Sequence, residues 1–143
     1  LTEFTPNVFA LPMRVYIEDT DAGGIVYHAK YLHFMERART EWVRSFGVGL
    51  RDGLSDNISY VVQKLSIHYG VPAKLDDQLS VTAEPTGYGR VWMQFRQRVL
   101  RASDQKNWPP RMCGGLYRTG FRATAAFCRP PWQIFSCKKH KPV

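Results

Sequence analysis

Asp19-Thr20-Asp21-Ala22-Gly23-Gly24-Ile25-Val26-Tyr27-His28-Ala29-Lys30-Tyr31 sets two carboxylates, a Gly-Gly turn and a histidine directly ahead of a strongly patterned segment. Downstream, Tyr31, Phe34, Met35, Ala38, Trp42 and Phe46 recur at helical spacing, with Glu36, Arg37, Thr40, Glu41 and Arg44 largely opposite. This predicts a helix over about 31–46 with one broad aromatic stripe, ended by Gly47 as a C′ residue. Upstream, residues 13–19 read as a strand with bulk on both faces, as expected of a buried strand. Residues 1–12 hold two prolines and no periodicity, and read as a lead-in arm.

Beyond the helix, residues 48–57 are turn-rich, and Ile58 to Tyr69 is β-branched and aromatic enough for a long strand. After a connection over residues 70–77, Gln78 to Glu84 points Leu79, Val81 and Ala83 to one side. Pro85-Thr86-Gly87-Tyr88-Gly89 is a hairpin signal, and Arg90 to Leu100 alternates Val91, Met93 and Phe95 with Trp92, Gln94 and Arg96. Strand, helix and three strands in that order imply an α+β fold, one helix against a mostly antiparallel sheet. A further strand should follow the turn at residues 102–105, yet Pro109-Pro110 interrupts it, and only Ala123–Phe127 suggests a short element.

The 143 residues suit a single domain, and 44% hydrophobic with 22% charged content is that of an ordinary globule. No apolar run approaches the roughly 20 residues of a membrane span. The first residues lack the basic and apolar regions of a signal peptide and the basic amphipathic helix of a presequence, so a cytoplasmic location is expected. The net charge of +8 arises wholly in the tail. Residues 1–105 hold 12 Lys/Arg against 12 Asp/Glu, whereas residues 106–143 hold eight Lys/Arg and no acid. All three cysteines and five of the nine prolines also lie in that tail. Its cysteines are too irregular for a zinc site, and an odd number forms no closed disulfide set. It also lacks an amphipathic pattern, so no nucleic-acid partner is expected.

The opening stretch carries chemistry. Acyl transfer needs a carboxylate or histidine beside the reacting carbon and donors for the developing oxyanion. Asp21 stands in the strand-to-helix turn, where a side chain can be aimed across a cleft. Gly23 and Gly24 let the backbone approach a ligand, and the amides from Ile25 to Ala29 enter a helix without intrahelical acceptors. Taken alone, Asp-x-Asp before Gly-Gly is more often a capped turn, and a lone histidine is more often a surface or satisfied residue than a catalyst. Asp19, Asp21, His28 and His33 match no defined metal spacing, and no metal is expected.

The run from Arg14-Val15 through Thr20-Asp21-Ala22-Gly23-Gly24-Ile25-Val26-Tyr27-His28-Ala29-Lys30-Tyr31 resembles the signature of the 4-hydroxybenzoyl-CoA thioesterase family. Glu36-Arg37-Ala38-Arg39-Thr40-Glu41 resembles its YbgC branch, and the likeness extends through residues 61–64 and 71–77, covering about 13–103. The resemblance implies a hot-dog fold, a long helix wrapped by an antiparallel sheet, assembled as a homodimer or homotetramer. It implies an acyl-CoA thioesterase acting on an acyl-CoA or acyl-carrier thioester without a cofactor, coenzyme A being part of the substrate. It puts the catalytic aspartate on Asp21, as nucleophile or general base, with the His28 side chain assisting near the thioester and the His28 backbone N–H a candidate oxyanion donor. The backbone at Gly24, Ile25, Val26 and Tyr27 would form the oxyanion hole and pocket, and Arg90 would contact coenzyme A. His68 departs from the pattern, since relatives often carry a glutamate there. The alternative is a non-catalytic acyl-thioester or acyl-carrier binding protein, or an envelope-associated scaffold.

The likeness stops where the composition breaks. Asn107-Trp108-Pro109-Pro110-Arg111-Met112-Cys113 can be encoded so that reading from the last base of the Asn107 codon yields Leu-Ala-Ala-Glu-Asp-Val-Arg, a credible strand opening. The expectation is one hot-dog domain over 1–143, with 106–143 a basic tail carrying the composition of a shifted frame.

Overall fold

The computed structural model describes residues 8–47, 49, 51, 60–89, 92–103 and 112–123, with residues 60 and 112–123 described by backbone alone. In chain order the elements are β1 (Phe9–Arg14), a 3-10 turn (Ile17–Asp19), α1 (Lys30–Arg44), β2 (Tyr60–Ser66), β3 (Gln78–Tyr88), β4 (Trp92–Arg101) and β5 (Met112–Ala123). The five strands form one sheet in the order β1-β3-β4-β5-β2, antiparallel throughout. The single long helix lies on it, and the α+β expectation holds.

The helix expected over 31–46 is Lys30–Arg44, and the strand expected from Ile58 to Tyr69 is described from Tyr60 and ends at Ser66. Three further differences from the sequence reading have a local reason. The strand expected over residues 13–19 starts earlier, inside the supposed arm, where Phe9 to Arg14 pairs with Ala83 to Gln78. It ends at Arg14 because Ile17–Asp19 turns: the Asp19 N–H donates to the Tyr16 carbonyl at 3.0 Å, and the Asp19 carboxylate accepts the Tyr16 N–H at 2.9 Å. The hairpin expected at Pro85–Gly89 lies later. β3 runs on to Tyr88 through a register shift between Pro85 and Gly87, the kind of irregularity at which a strand tolerates proline. Thirdly, the tail supplies a strand after all. Met112–Ala123 fills the place between β4 and β2, pairing with both. Backbone hydrogen bonding needs no side-chain period, and Gly114 sits where the register with β4 is irregular, opposite Val99. Beyond Ala123, the short element expected to Phe127 falls outside the described residues.

The helix stripe is the core. Tyr31, Phe34, Met35, Ala38 and Trp42 are buried against Leu79, Val81 and Ala83 of β3 and Met93, Phe95 and Val99 of β4. Trp42 meets Phe95 edge-on with ring centroids 5.0 Å apart, and its other neighbour Phe46 closes the end of the helix at the same 5.0 Å. Full burial of one such side chain is worth roughly 1.5–3 kcal/mol, so this face alone holds α1 on the sheet. The exposed face carries the Arg44–Glu41 ion pair. On the other side of the sheet, Arg96 grips Glu84 through two hydrogen bonds of 3.0 and 2.9 Å and thereby lowers the Glu84 carboxyl pKa.

The core also contains a polar strut that the helical pattern did not reveal. Arg39 and Gln97 are both buried. Arg39 donates to Gln97 Oε1 at 2.6 Å and also reaches Glu36 on the preceding turn. Gln97 Nε2 donates to the Met35 carbonyl of α1 and the Thr82 carbonyl of β3, each at 3.0 Å. One carboxamide therefore joins the helix to two strands. Gln97→Leu should lower unfolding stability by about 2–3 kcal/mol, because it removes one acceptor from a buried guanidinium and one donor from two main-chain carbonyls. Adding Arg39→Met should restore more than half of that loss; a double-mutant cycle of urea unfolding curves measures both.

Candidate active site

The turn between the 3-10 segment and α1 is a small hairpin closed by its own backbone. The Asp21 N–H donates to the Ile25 carbonyl at 2.9 Å and the Gly24 N–H to the Asp21 carbonyl at 3.0 Å. Thr20 bridges Val26, and Ile25 bridges Lys74 on the β2–β3 connection. Gly24 has φ of 74°, a left-handed conformation that favours glycine. A Cβ on Gly23 would stand 3.1 Å from Asp21 Oδ1, so glycine leaves room for the carboxylate to fold over the turn.

The two aspartates divide. Asp19 is buried; besides capping Tyr16, its carboxylate lies 3.5 Å from the Lys30 ammonium at the start of α1. Its carbonyl accepts the Tyr27 N–H at 2.9 Å. Asp19 is thus committed to the fold. Asp21 is exposed, and its side chain accepts only the Gly23 N–H, at 2.8 Å, among the described residues. It is available to a ligand. His28 is also exposed, its ring 4.4 Å by centroid from Tyr27. Among the described residues no hydrogen bond or ion pair joins Asp21 to His28.

The backbone donors sort in the same way. Of the four positions expected to form the oxyanion hole, Gly24, Val26 and Tyr27 have their N–H groups engaged, Val26 with the Ala73 carbonyl at 2.9 Å. The Ile25 N–H finds no acceptor among the described residues, and neither do those of His28 and Ala29 immediately before α1. The unmatched donors are thus Ile25 in the turn and His28 and Ala29 at the helix entrance, all within the run from Ile25 to Ala29. Arg90, the expected coenzyme A contact, lies outside the described residues. Among the described residues no group of three or more His, Cys, Asp or Glu side chains is placed to hold a metal ion, and no helix is long and apolar enough to cross a membrane.

A second segment, which the sequence reading treated as a strand end and a plain connection, holds this hairpin in place. Tyr69 Oη donates to the His28 carbonyl at 2.9 Å. Tyr31 Oη accepts the Ala73 N–H at 3.0 Å. Arg101 on β4 anchors the same connection through the Pro72 carbonyl at 2.8 Å and the Asp77 carboxylate at 3.0 Å. The only signal in the sequence was indirect: a tyrosine in an apolar stripe needs a partner for its hydroxyl. Partial burial raises the Tyr69 phenol pKa. His68 is exposed beside it.

Against known proteins, residues 23–107 match the family model described as the thioesterase superfamily. The chain belongs to the thioesterase superfamily. It is 49% identical over 96 residues to the acyl-CoA thioesterase YbgC of Haemophilus influenzae, covering 66% of this chain and 71% of that protein. It is 42% identical over 98 residues to the acyl-CoA thioester hydrolase YbgC of Escherichia coli O6:H1, covering 68% of this chain and 73% of the relative. A probable thioesterase from Bartonella henselae superposes with a TM-score of 0.68 at 27% identity over 82% of this chain and 90% of that one. A 1,4-dihydroxy-2-naphthoyl-CoA thioesterase from Synechocystis, 22% identical, superposes with a TM-score of 0.77 over 95% of this chain and 100% of its own. The fold is the hot-dog thioesterase fold, with one long helix packed against an antiparallel sheet. In this superfamily member the two acids should separate in a stability measurement. Asp19→Ala should cost about 1–3 kcal/mol, by stranding the Tyr16 amide and Lys30, and Asp21→Asn should stay within about 0.5 kcal/mol of the parent in urea unfolding.

Proposed function

We propose that this chain is a cytoplasmic thioester hydrolase that splits an acyl-CoA, or the corresponding acyl-carrier thioester, into free acid and thiol. The observation that carries this reading is the exposed Asp21 carboxylate in the turn that delivers the chain into α1, beside unmatched amides at the helix entrance. The similarity to the thioesterase superfamily begins at Gly23, within this turn, and runs through α1. Asp21 either attacks the thioester carbon, giving a mixed anhydride that water hydrolyses, or takes a proton from the attacking water. The carbonyl oxygen becomes an oxyanion held by the His28 and Ala29 N–H groups and favoured by the positive end of the helix. The C–S bond then breaks, and the thiolate leaves and takes up a proton. His28 assists by its side chain at the same entrance. Coenzyme A enters as part of the substrate, and no cofactor is required.

The working unit in this proposal is a homodimer, or a homotetramer built from two such dimers. Among the described strands β2 ends the sheet, and its Val61, Val62 and Leu65 are 49, 40 and 42% exposed. An unpaired edge with apolar side chains on it is suited to pairing with a second copy. Asp21 and His28, separate in one chain, would then complete a site at the subunit junction. The family match ends at residue 107, two residues past the break in composition, and this favours a one-base shift of frame after Asn107; a verified nucleotide read that keeps the frame through this codon removes that idea.

Thiol release measured over a panel of aliphatic and aromatic acyl-CoAs should show turnover, with Asp21→Asn lowering kcat 100- to 10,000-fold, as expected for loss of an acid–base or nucleophilic group. Full activity in Asp21→Asn would overturn the assignment. Tight binding of the panel without turnover would make this an acyl-thioester binding protein instead.

A further inference from the structure

We propose that Tyr69 is a positioning residue that aims the Ala29 amide at the reacting thioester, an inference that rests on the hydrolase reading above. The argument begins with the planar peptide. In a trans peptide the carbonyl of one residue and the N–H of the next point in opposite directions and cannot turn independently. Fixing the His28 carbonyl therefore fixes the Ala29 N–H. The Tyr69 hydroxyl does so at 2.9 Å, so the Ala29 amide points away from the tyrosine.

The preceding peptide is held without outside help. The Tyr27 carbonyl accepts the Lys30 N–H of the helix at 2.8 Å, which sets the direction of the His28 N–H. The His28 carbonyl precedes α1 by two residues, and among the described residues its donor is the Tyr69 hydroxyl. Two consecutive amides thus reach the helix entrance with their carbonyl ends tied, one by main chain and one by a side chain from the β2–β3 connection. Hydrogen bonding at a carbonyl also polarises its peptide and strengthens the N–H as a donor.

Tyr69 is itself constrained. Its ring lies edge-on to Tyr31, centroids 5.7 Å apart, and at 88° to the His28 ring at 6.4 Å. Four residues on, Ala73 receives the Val26 N–H at 2.9 Å and donates to Tyr31. The phenol is therefore carried by a segment bound to both sides of the turn. A free side chain at this position could bond the carbonyl but could not hold its direction.

The test compares Tyr69→Phe with the parent protein. This change keeps the ring and removes the hydroxyl. The expected result is a fall in kcat of about 10- to 100-fold with KM changed less than about twofold, smaller than or equal to the loss from deleting an oxyanion donor. A coenzyme A trifluoromethyl-ketone thioether, which hydrates to mimic the tetrahedral oxyanion, should lose affinity by the same factor as kcat/KM. A plain alkyl-CoA thioether should bind unchanged. Unchanged kcat, or equal weakening of both analogues, overturns the proposal, since a merely structural tyrosine would not separate them. The Ala29 amide signal in 1H–15N NMR spectra provides a readout without turnover. It should shift in Tyr69→Phe more than the amides of Asp19 and Gly24, and an unmoved signal overturns the positioning role. If the parent hydrolyses no thioester, the hydrolase reading fails, and the amide signal still decides whether Tyr69 sets the Ala29 peptide.

Discussion

Burial of one helix face against β3 and β4 is the constraint on which the rest of this molecule depends. Among the described residues Phe34, Met35 and Trp42 are covered by β3 and β4, and Trp42 meets Phe95 edge-on. Once α1 is seated, its first turn has only one place to be. The hairpin from Asp19 to Tyr27 must then span from β1 to that place, and its internal hydrogen bonds follow from the short distance available. The candidate site is therefore a by-product of packing at a helix entrance: exposed acid, unmatched amides and an aromatic wall meet where the core ends.

A few polar groups turn that seating into a defined geometry. Hydrophobic contact is indifferent to small rotations of a helix, whereas Gln97 contacts one specified carbonyl of α1 and one of β3. At the other end, the β2–β3 connection is tied to β4 by Arg101, to β1 by the Val15 N–H donating to the Asp77 carbonyl, and to the hairpin through Ala73. Reaction geometry tolerates errors of only a fraction of an ångström, so these bonds matter to function more than their number suggests.

Much of this was legible in the sequence, and the limits are physical. The stripe from Tyr31 to Trp42 announced the helix because one face of it is buried and the other wet, which is what a 3.6-residue period records. Leu79, Val81 and Ala83 announced β3 by the same logic at period two. Arg39 and Gln97 broke the pattern, because a polar residue in the core carries no mark that distinguishes it from one in water until its partner is known. β1 was displaced because Val15 to Asp19 has a strand's composition while Asp19 bends it into a turn through its own side chain, a contest between propensity and a local hydrogen bond. The strand at Met112–Ala123 was hidden for a different reason: backbone pairing between two neighbours does not require alternation. At the site, the motif pointed to Asp21, His28 and the amides from Ile25 to Ala29; which of those donors are spent depends on contacts with Asp19 and Ala73 that no local pattern records. The resemblance to the family signature put the expected catalytic aspartate on Asp21 rather than Asp19, and in the structure Asp19 is buried while Asp21 is exposed.

The two rims of the sheet are chemically unlike. β1 carries Pro12, which withholds one amide from any further strand, while β2 carries the sequence YVVQKLS, with no proline in it. Among the described strands, then, one rim is blunted and the other is free of proline, which favours growth at the second. If two such sheets meet rim to rim about a two-fold axis, each consumes the other's open side, and the product presents a blunted rim at both ends. The same arrangement that would unite two half-sites would thus also keep the protein from polymerising into fibres.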